Sequence, residues 1–311
     1  MKVFLTGATG AIGPATIRAL RGAGHDVRAV ARGAEKAQLV RELGAEPVTV
    51  DLFDPAAVKE AVAGSEAVLH LATNVPPVSR AARKSAWDTH NALRTTATEH
   101  LVQAALDAGA RTFVKESITF VYPDRGDDWI DEAVPADESI GLLVPTLQGE
   151  RIALRFGGEG STSVVLRFGL FYGPDTRHTE ESLRMARRRV STVAGNKGAY
   201  MTSVHTDDVA TAVVAALDAP TGIYNVGDDE PLTRRDYLAA FRNAFVLGRL
   251  FSAPSWLMRM IAGKSSRVLT ASQRCSNQRF RDATGWAPAH RSAREGWAAS
   301  AAARAQEKSN A

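Results

Sequence analysis

The sequence predicts an α/β fold, a parallel sheet with helices on both faces and a smaller C-terminal lobe. Three observations carry this. Across residues 1–120, short apolar runs alternate with helical patterns, as expected of strands buried on both sides between crossover helices. A glycine-rich turn, "TGATGAIG" (6–13), stands between the first apolar run and the first helical pattern. After Pro174 the alternation loosens into helices and short strands.

In order, "KVFLTG" (2–7) reads as a strand and 13–23 as a helix with Ile17 and Leu20 facing inward. "DVRAVAR" (26–32) is a second strand, followed by a helix over 35–43. "EPVTVDL" (46–52) is a third, followed by a helix over 55–63 that Asp54 caps, with Pro55 at its first position. "EAVLHLA" (66–72) is a fourth strand, then one long helix near 87–108 and a fifth strand, "RTFVKES" (111–117). "TSVVLRFG" (162–169) is a sixth, and "GIYNVGD" (222–228) the clearest late strand. No internal repeat or linker separates independent units. The expected division is 1–174 for a nucleotide-binding domain and 175–311 for a substrate lobe, with strands near 203–228 returning to the sheet.

Of the 311 residues, 45% are hydrophobic and 23% charged, enough to bury a sizeable core. The net charge of +4 is modest and its basic residues are scattered. Clusters such as Arg187, Arg188 and Arg189 read as a solvated helix face, so nucleic acid is not an expected partner. The single cysteine, Cys275, excludes an internal disulfide and fits a reducing compartment, the cytoplasm. The opening residues read as a strand rather than a secretory signal. The apolar segment from Phe245 to Ala262 is broken by Gly248, Arg249, Pro254 and Arg259, so it reads as a packed or lid helix rather than a membrane span. The Ala-rich tail from Ala298 reads as a fraying helix end.

The glycines of the turn, Gly7, Gly10 and Gly13, meet three demands of a dinucleotide pyrophosphate: a tight turn, close backbone approach, and a helix N-terminus with free N–H groups. Thr9, Ala11 and Ile12 complete this loop. At the end of the second strand, an acid that would bind the ribose hydroxyls is replaced by Ala31, Arg32 and Gly33, with Arg28 earlier. A guanidinium pairs with a 2′-phosphate, so NADP(H) is expected over NAD(H). Asp51 and Leu52, ending the third strand, are placed to meet adenine, and Leu71 and Ala72, ending the fourth strand, with Thr73 after them, are expected beside the cofactor.

The chain resembles the short-chain dehydrogenase/reductase superfamily in its extended, epimerase/dehydratase-like branch. The matching stretches are "GATGAIG" (7–13), "DL" (51–52), "HLA" (70–72), "FVKESITFVYPD" (113–124), "LRFGLFYGP" (166–174), "SVHTDDVATAV" (203–213) and "GIYNVGDDEP" (222–231). The resemblance implies a Rossmann-type doubly wound sheet with a C-terminal substrate-binding lobe. It also implies a catalytic Tyr-x-x-x-Lys, in which the lysine holds the nicotinamide ribose and lowers the tyrosine pKa. With Glu150 as the acid that trails this motif, Leu142 stands at the tyrosine position and Thr146 at the lysine position. The five tyrosines, Tyr122, Tyr172, Tyr200, Tyr224 and Tyr237, are followed four residues later by Gly126, Thr176, Val204, Asp228 and Phe241, so the motif occurs nowhere. In "ESITFVY" (116–122), Ile118 falls near the family's hydroxyl position, flanked by Ser117 and Thr119.

Thr119, Tyr122 and Gln148 are the candidate catalytic residues, with Asn74 nearby; His90 and Asn91 are weaker. The resemblance implies that His205 stands at a strand-to-helix corner where Asp207 or Asp208 caps the next helix. His178 with Glu180 and Glu181 lacks metal-ligand spacing, and no metal site is expected. Cys275 has no activating partner in sequence. Leu170 stands where many sugar-nucleotide enzymes place an Asn, and Arg184, Arg187 and Arg188 serve a diphosphate no better than a solvated face. The leading expectation is an atypical NADP(H)-dependent reductase of a small apolar or aromatic metabolite, working without the tyrosine–lysine relay. The alternatives are a non-catalytic NADP(H)-binding sensor and a sugar-nucleotide epimerase or dehydratase with a displaced base. A homodimer is compatible with the sequence.

Overall fold

The computed structural model describes residues 1–76, 80, 83–254, 256, 260 and 266–310. Seven parallel strands form the central sheet: β1 (Lys2–Thr6), β2 (Asp26–Val30), β3 (Glu46–Val48), β4 (Ala67–His70), β5 (Thr112–Ile118), β6 (Thr162–Phe168) and β7 (Gly222–Val226). Their spatial order is β3-β2-β1-β4-β5-β6-β7, with the chain reversing direction of travel between β1 and β4. This is the Rossmann-type doubly wound sheet, and the crevice beyond the carboxyl ends of β1 and β4 is where such sheets bind ligands.

Strand alternation divides the core in two. Val3 and Leu5 of β1, Ala67 and Leu69 of β4, and Val164 and Leu166 of β6 face helices α1 (Gly13–Gly22), α2 (Ala34–Glu42) and α8 (Thr206–Ala215). Phe4, Val68, Phe113 and Val165 face α3 (Pro55–Val62), α5 (Thr96–Asp107) and α6 (Val144–Leu154) on the other side. Ile17 and Leu20 are fully buried, and Asp54 accepts the N–H groups of Ala56 and Ala57 at the start of α3.

The helix expected near 87–108 is two: α4 (Asp88–Arg94) and α5, broken at Thr95. Side chains take the carbonyls that would carry the helix through. Thr98 Oγ1 donates to Arg94 O (2.8 Å) and His70 Nε2 to Leu93 O (2.9 Å). Apolar periodicity continues through such a break and hides it.

Of the strands expected to return near 203–228, only β7 joins the sheet. Ser203–His205 pairs instead with Leu170–Tyr172 in a separate two-stranded piece. The C-terminal elements gather around Trp297, which is 1% exposed and has the rings of Tyr172 and Phe241 each at 4.9 Å. Trp297 lies on the C-terminal helix Ala293–Asn310, which packs on α9 (Arg234–Ala244) and continues the Ala-rich tail as helix to its last described residue. Residues 255, 257–259 and 261–262 of the apolar 245–262 segment fall outside the described residues, as do 263–265 and Ala311. Helix α7 (Arg177–Arg187) ends among exposed arginines, Arg187, Arg188 and Arg189. Among the described residues no helix is long and apolar enough to cross a membrane.

Helix α6 packs against α4 at Gly149, where an added Cβ would lie 2.2 Å from the Arg94 carbonyl oxygen. Gly149→Ala is therefore expected to cost about 1–3 kcal/mol by overpacking and to lower the melting temperature by several degrees. Gly22→Ala, at a helical position with nothing within 4 Å, should be neutral or stabilising in the same thermal melt.

Candidate active site

The glycine turn joins β1 to α1. Gly7 has φ +82, and a Cβ there would sit 2.6 Å from the Leu71 carbonyl carbon and oxygen, so only glycine lets the loops after β1 and β4 touch. Gly13 is fixed from within as well, because its Cβ would come 2.2 Å from Ala8 O. Gly10 differs: a Cβ would meet only Gly7 O at 3.2 Å, and its outer side is open. Helix α1 starts at Ile12 without a side-chain cap and with no acid in its first turn. An open glycine backed by an uncapped helix start is a cradle for an anionic group, and a dinucleotide pyrophosphate fits it. Thr9 is half-buried and Ala11 exposed on this loop, while Ile12 is buried beneath it.

Arg32 is exposed just after β2 and makes no ion pair or hydrogen bond with any described residue. Arg28 is occupied, donating to Ala61 O at 3.0 Å and lying 3.7 Å from Glu46. Asp51 Oδ1 accepts the Phe53 N–H in a local turn, and Leu52 is buried, its carbonyl bonded to His100. Beyond β4, Leu71 is buried, Ala72 half-buried, and Thr73 and Asn74 exposed. His70, at the end of β4, accepts from the Thr6 hydroxyl at Nδ1 (2.7 Å) and donates from Nε2, which ties β1 to α4. Burial holds its pKa well below the ordinary histidine value, so it is a neutral structural tie.

Around β5 and α6 the structure assembles a buried ionic cluster that the pattern of apolar residues did not announce. Arg167 on β6 makes a bidentate pair with Glu150 on α6 (Nε to Oε1 2.8 Å, Nη2 to Oε2 2.6 Å), and Ser117 Oγ donates to Glu150 Oε1 at 2.5 Å. Arg94 on α4 pairs with Glu116 on β5 at 2.6 Å and also donates to the Glu116 carbonyl. Lys115 donates to that same carbonyl at 3.0 Å. All six side chains are buried. The signal available in sequence was "KES" inside an otherwise apolar strand.

Burial, reinforced by the Arg94 guanidinium, pushes the Lys115 ammonium down to about 7. Burial likewise pushes His90, on α4, down to about 3. With Lys115 neutral, the cluster balances as two paired guanidiniums and two carboxylates.

The structure brings Thr119 and Tyr122 together and leaves Gln148 apart. Thr119 is fully buried in the turn after β5, its hydroxyl against the Cys275 thiol. Tyr122 donates from its phenol to Asn225 Oδ1 at 2.9 Å, and the Arg167 guanidinium lies 4.9 Å over its ring. Burial pushes the phenol well above its ordinary pKa, making it a weaker acid than free tyrosine. Gln148 is exposed on α6, whereas Leu147 and Gly149 beside it are buried. Leu142 is half-buried and Thr146 buried. Burial pushes the Cys275 thiol up to about 12, which leaves no thiolate nucleophile near neutral pH.

Helix α8 is capped by His205 rather than by Asp207 or Asp208: His205 Nδ1 accepts the Asp207 N–H. Asp208 is buried and turned the other way, where its carboxylate takes the Ala289 and His290 backbone N–H groups and the His290 ring. Ligand-type atoms of His205, Asp208 and His290 lie within 4.8 Å of one another, but each is already engaged in these bonds or, for His205 Nε2, with Ser300.

Residues 3–227 match the model of the NAD dependent epimerase/dehydratase family. This chain belongs to that family. A 3-diazoavenalumate denitrifying reductase from Streptomyces sp is 33% identical over 310 residues, covering 95% of this chain and 99% of the relative. A 4-hydroxy-2-methyl-3-oxo-4-farnesyl-3,4-dihydroquinoline-1-oxide ketoreductase from Stigmatella aurantiaca is 31% identical over 246 residues, covering 76% of this chain and 71% of the relative. Among solved structures, a human epimerase family protein with NADPH superposes with a TM-score of 0.81 at 21% identity, covering 97% and 99% of the two chains. Membership of the epimerase/dehydratase family, together with reductase relatives of this extent, makes the protein an NAD(P)-dependent oxidoreductase of the short-chain type.

The ionic cluster makes a testable statement about stability. In the unfolded chain Lys115 keeps its proton up to the ordinary value of 10.5, while in the folded chain it releases it near 7. Folding therefore expels a proton between these values, and this group's contribution makes stability rise with pH across that window. Lys115→Met should flatten that rise in denaturant titrations at pH 6–9. Parallel pH profiles for the two proteins would contradict the assignment.

Proposed function

We propose that this protein is an NADP(H)-dependent reductase of arenediazonium-type substrates, replacing dinitrogen on the ring by hydrogen. The observation that carries the reading is the missing proton donor. Leu142 and Thr146 occupy the positions that the family gives to its tyrosine and lysine. Tyr122, the phenol just after β5, is buried and its pKa is pushed well above the ordinary value.

Ordinary carbonyl reduction creates an alkoxide, which a positioned acid must protonate or neutralise. Reductive loss of nitrogen makes no such demand. The reduced nicotinamide supplies hydride to the ring carbon, so that Ar–N2⁺ and hydride give Ar–H and N2 with charge balanced and no proton consumed. The printed name of the Streptomyces relative, a denitrifying reductase of a diazo compound, supports this substrate class.

The chain's own residues then have binding tasks. Gly7, Gly10, Gly13 and the start of α1 hold the pyrophosphate, and unpaired Arg32 takes the 2′-phosphate that distinguishes NADPH. Thr119 and Tyr122 are themselves enclosed and act from behind the surface that meets the ring, packed with Val121, Ile130 and Leu147. Gln148, exposed on α6, has no part in this arrangement.

The test is NADPH consumption with a benzenediazonium salt, measured together with nitrogen release. One N2 per NADPH is expected, with kcat for Tyr122→Phe within about threefold of wild type because no acid is required. Arg32→Glu should raise the KM for NADPH more than about tenfold and change that for NADH little. Tight NADPH binding without turnover would favour a sensor. A loss of more than about a hundredfold in Tyr122→Phe would restore the phenol as the acid.

A further inference from the structure

We propose that the protein docks on anionic lipid surfaces through a basic and apolar patch where α7 and α9 end. The proposal is independent of the reaction assigned above. Residues 182–206 and 237–281 contain no Asp or Glu, yet they carry five and eight Lys or Arg respectively. The whole chain has a net charge of only +4, so the remainder is net acidic and positive charge is gathered on these two stretches.

The fold lays the two stretches side by side. Val190 and Phe251 bridge in parallel, the Phe251 N–H donating to Arg189 O (2.8 Å) and the Ser191 N–H to Phe251 O (2.9 Å). Further along, the Gly195 N–H donates to Ala253 O (3.0 Å). Arg184, Arg187, Arg188, Arg189 and Arg249 flank this contact in sequence and are exposed. None of them makes an ion pair or side-chain hydrogen bond with a described residue. Large apolar side chains stand among them. Val246 is 91% exposed, the most of any large apolar residue among those described, and Phe251 is 64% exposed.

Both helix ends strain the backbone at this surface. Each helix closes with a bond from the N–H of the third residue past its end, Val190 to Met185 O (3.1 Å) and Leu247 to Arg242 O (2.8 Å). Such an ending puts the preceding residue in the left-handed region, where glycine is the ordinary choice. Here that residue is Arg189 (φ +59) after α7 and Val246 (φ +52) after α9. They are the two non-glycine residues with positive φ among those described, and a β-branched side chain is the least suited to it. Packing inside the fold does not offset the strain, since both side chains are exposed. What the two residues supply is a cation and an apolar tip at the surface.

A bilayer fits this combination. Its anionic headgroups meet guanidiniums that have no acid of their own, while projecting apolar side chains enter the acyl boundary without a matching pocket. An acidic protein would satisfy the arginines but would have to supply a cleft for Val246. A second copy of this chain would set like charges against each other. The contact is interfacial, because no described helix is long and apolar enough to cross a membrane.

Sedimentation of the full chain with vesicles tests the proposal. In about 0.1 M salt the protein should bind phosphatidylcholine vesicles containing about 30% phosphatidylglycerol at least about tenfold more tightly than phosphatidylcholine alone, and about 0.5 M salt should remove most of that difference. Arg187→Glu combined with Arg188→Glu should weaken binding to the anionic vesicles about tenfold or more, and Phe251→Ser about threefold or more. Val246→Gly should also weaken it about threefold or more while its melting temperature holds or rises, because glycine relieves the strained position. That split separates loss of a lipid contact from loss of the fold. Failure to bind the anionic vesicles, or equal binding to both compositions, would overturn the proposal. Undiminished binding by folded Val246→Gly and Phe251→Ser would also overturn it, leaving charge alone as the determinant, as an acidic protein would read it. A dimer in solution that Phe251→Ser dissociates would assign the face to a second copy instead.

Discussion

The pair between Arg167 and Glu150 fixes the relation of α6 to the sheet, and the geometry of the site depends on it. Glu150 is held by three donated hydrogen bonds, two from Arg167 on β6 and one from Ser117 on β5. Arg167 in turn covers the ring of Tyr122, whose phenol reaches Asn225 on β7, whose backbone N–H reaches Glu132 in the loop before α6. One continuous network thus runs from helix to sheet to loop. Removing one partner of such a buried pair strands a charge at a cost of about 3–5 kcal/mol, more than a typical surface contact contributes by several-fold. The network is high-stakes because all its members except the half-buried Glu132 are buried, and its hydrogen bonds hold α6 and the turn after β5 in one arrangement.

That arrangement keeps the family's scaffold while changing what it presents. The acid that trails the usual catalytic pair survives as Glu150, in a structural role. One helical turn earlier, Thr146 brings no ammonium and Leu142 no phenol. The buried amine nearby, Lys115, comes from β5 and releases its proton near neutrality under pressure from Arg94 and burial. It balances charge beneath the site and is too deeply enclosed to meet a substrate. The absence of the tyrosine–lysine pair is what favours the proposed displacement of a neutral leaving group by hydride over chemistry that takes a proton from the protein.

Much of the fold was legible in sequence, because its determinants are local and periodic. All seven sheet strands were readable as apolar runs, and Gly7, Gly10 and Gly13 announced the cradle through a spacing that the backbone itself requires. Asp54 before Pro55 announced the start of α3. What escaped was set by side chains acting at a distance. The break at Thr95 arises when the Thr98 hydroxyl and His70 claim helix carbonyls, which no periodicity records. The cap of α8 by His205 depends on Asp208 being drawn away to His290, 82 residues later. The pairs of Arg94 with Glu116 and of Arg167 with Glu150 join residues 22 and 17 positions apart on different elements. Gln148 looked as plausible as Thr119 in one dimension because helix facing was not yet fixed. Once Gly149 is pressed against α4 and Glu150 is held by Arg167, Gln148 is left facing outward.

In the proposed reaction the hydrogen delivered to the substrate carbon comes from the cofactor, and no proton from the protein or solvent is needed there. Tracing the label decides it: NADPH deuterated at C4 in H2O, and unlabelled NADPH in D2O, each with a benzenediazonium substrate. With the cofactor deuterated on the face from which hydride leaves, one deuterium is expected at the former diazonium carbon. None is expected at that carbon in the D2O experiment, together with a solvent isotope effect near unity. Solvent deuterium at that carbon, or a solvent isotope effect of about two or more, would contradict it.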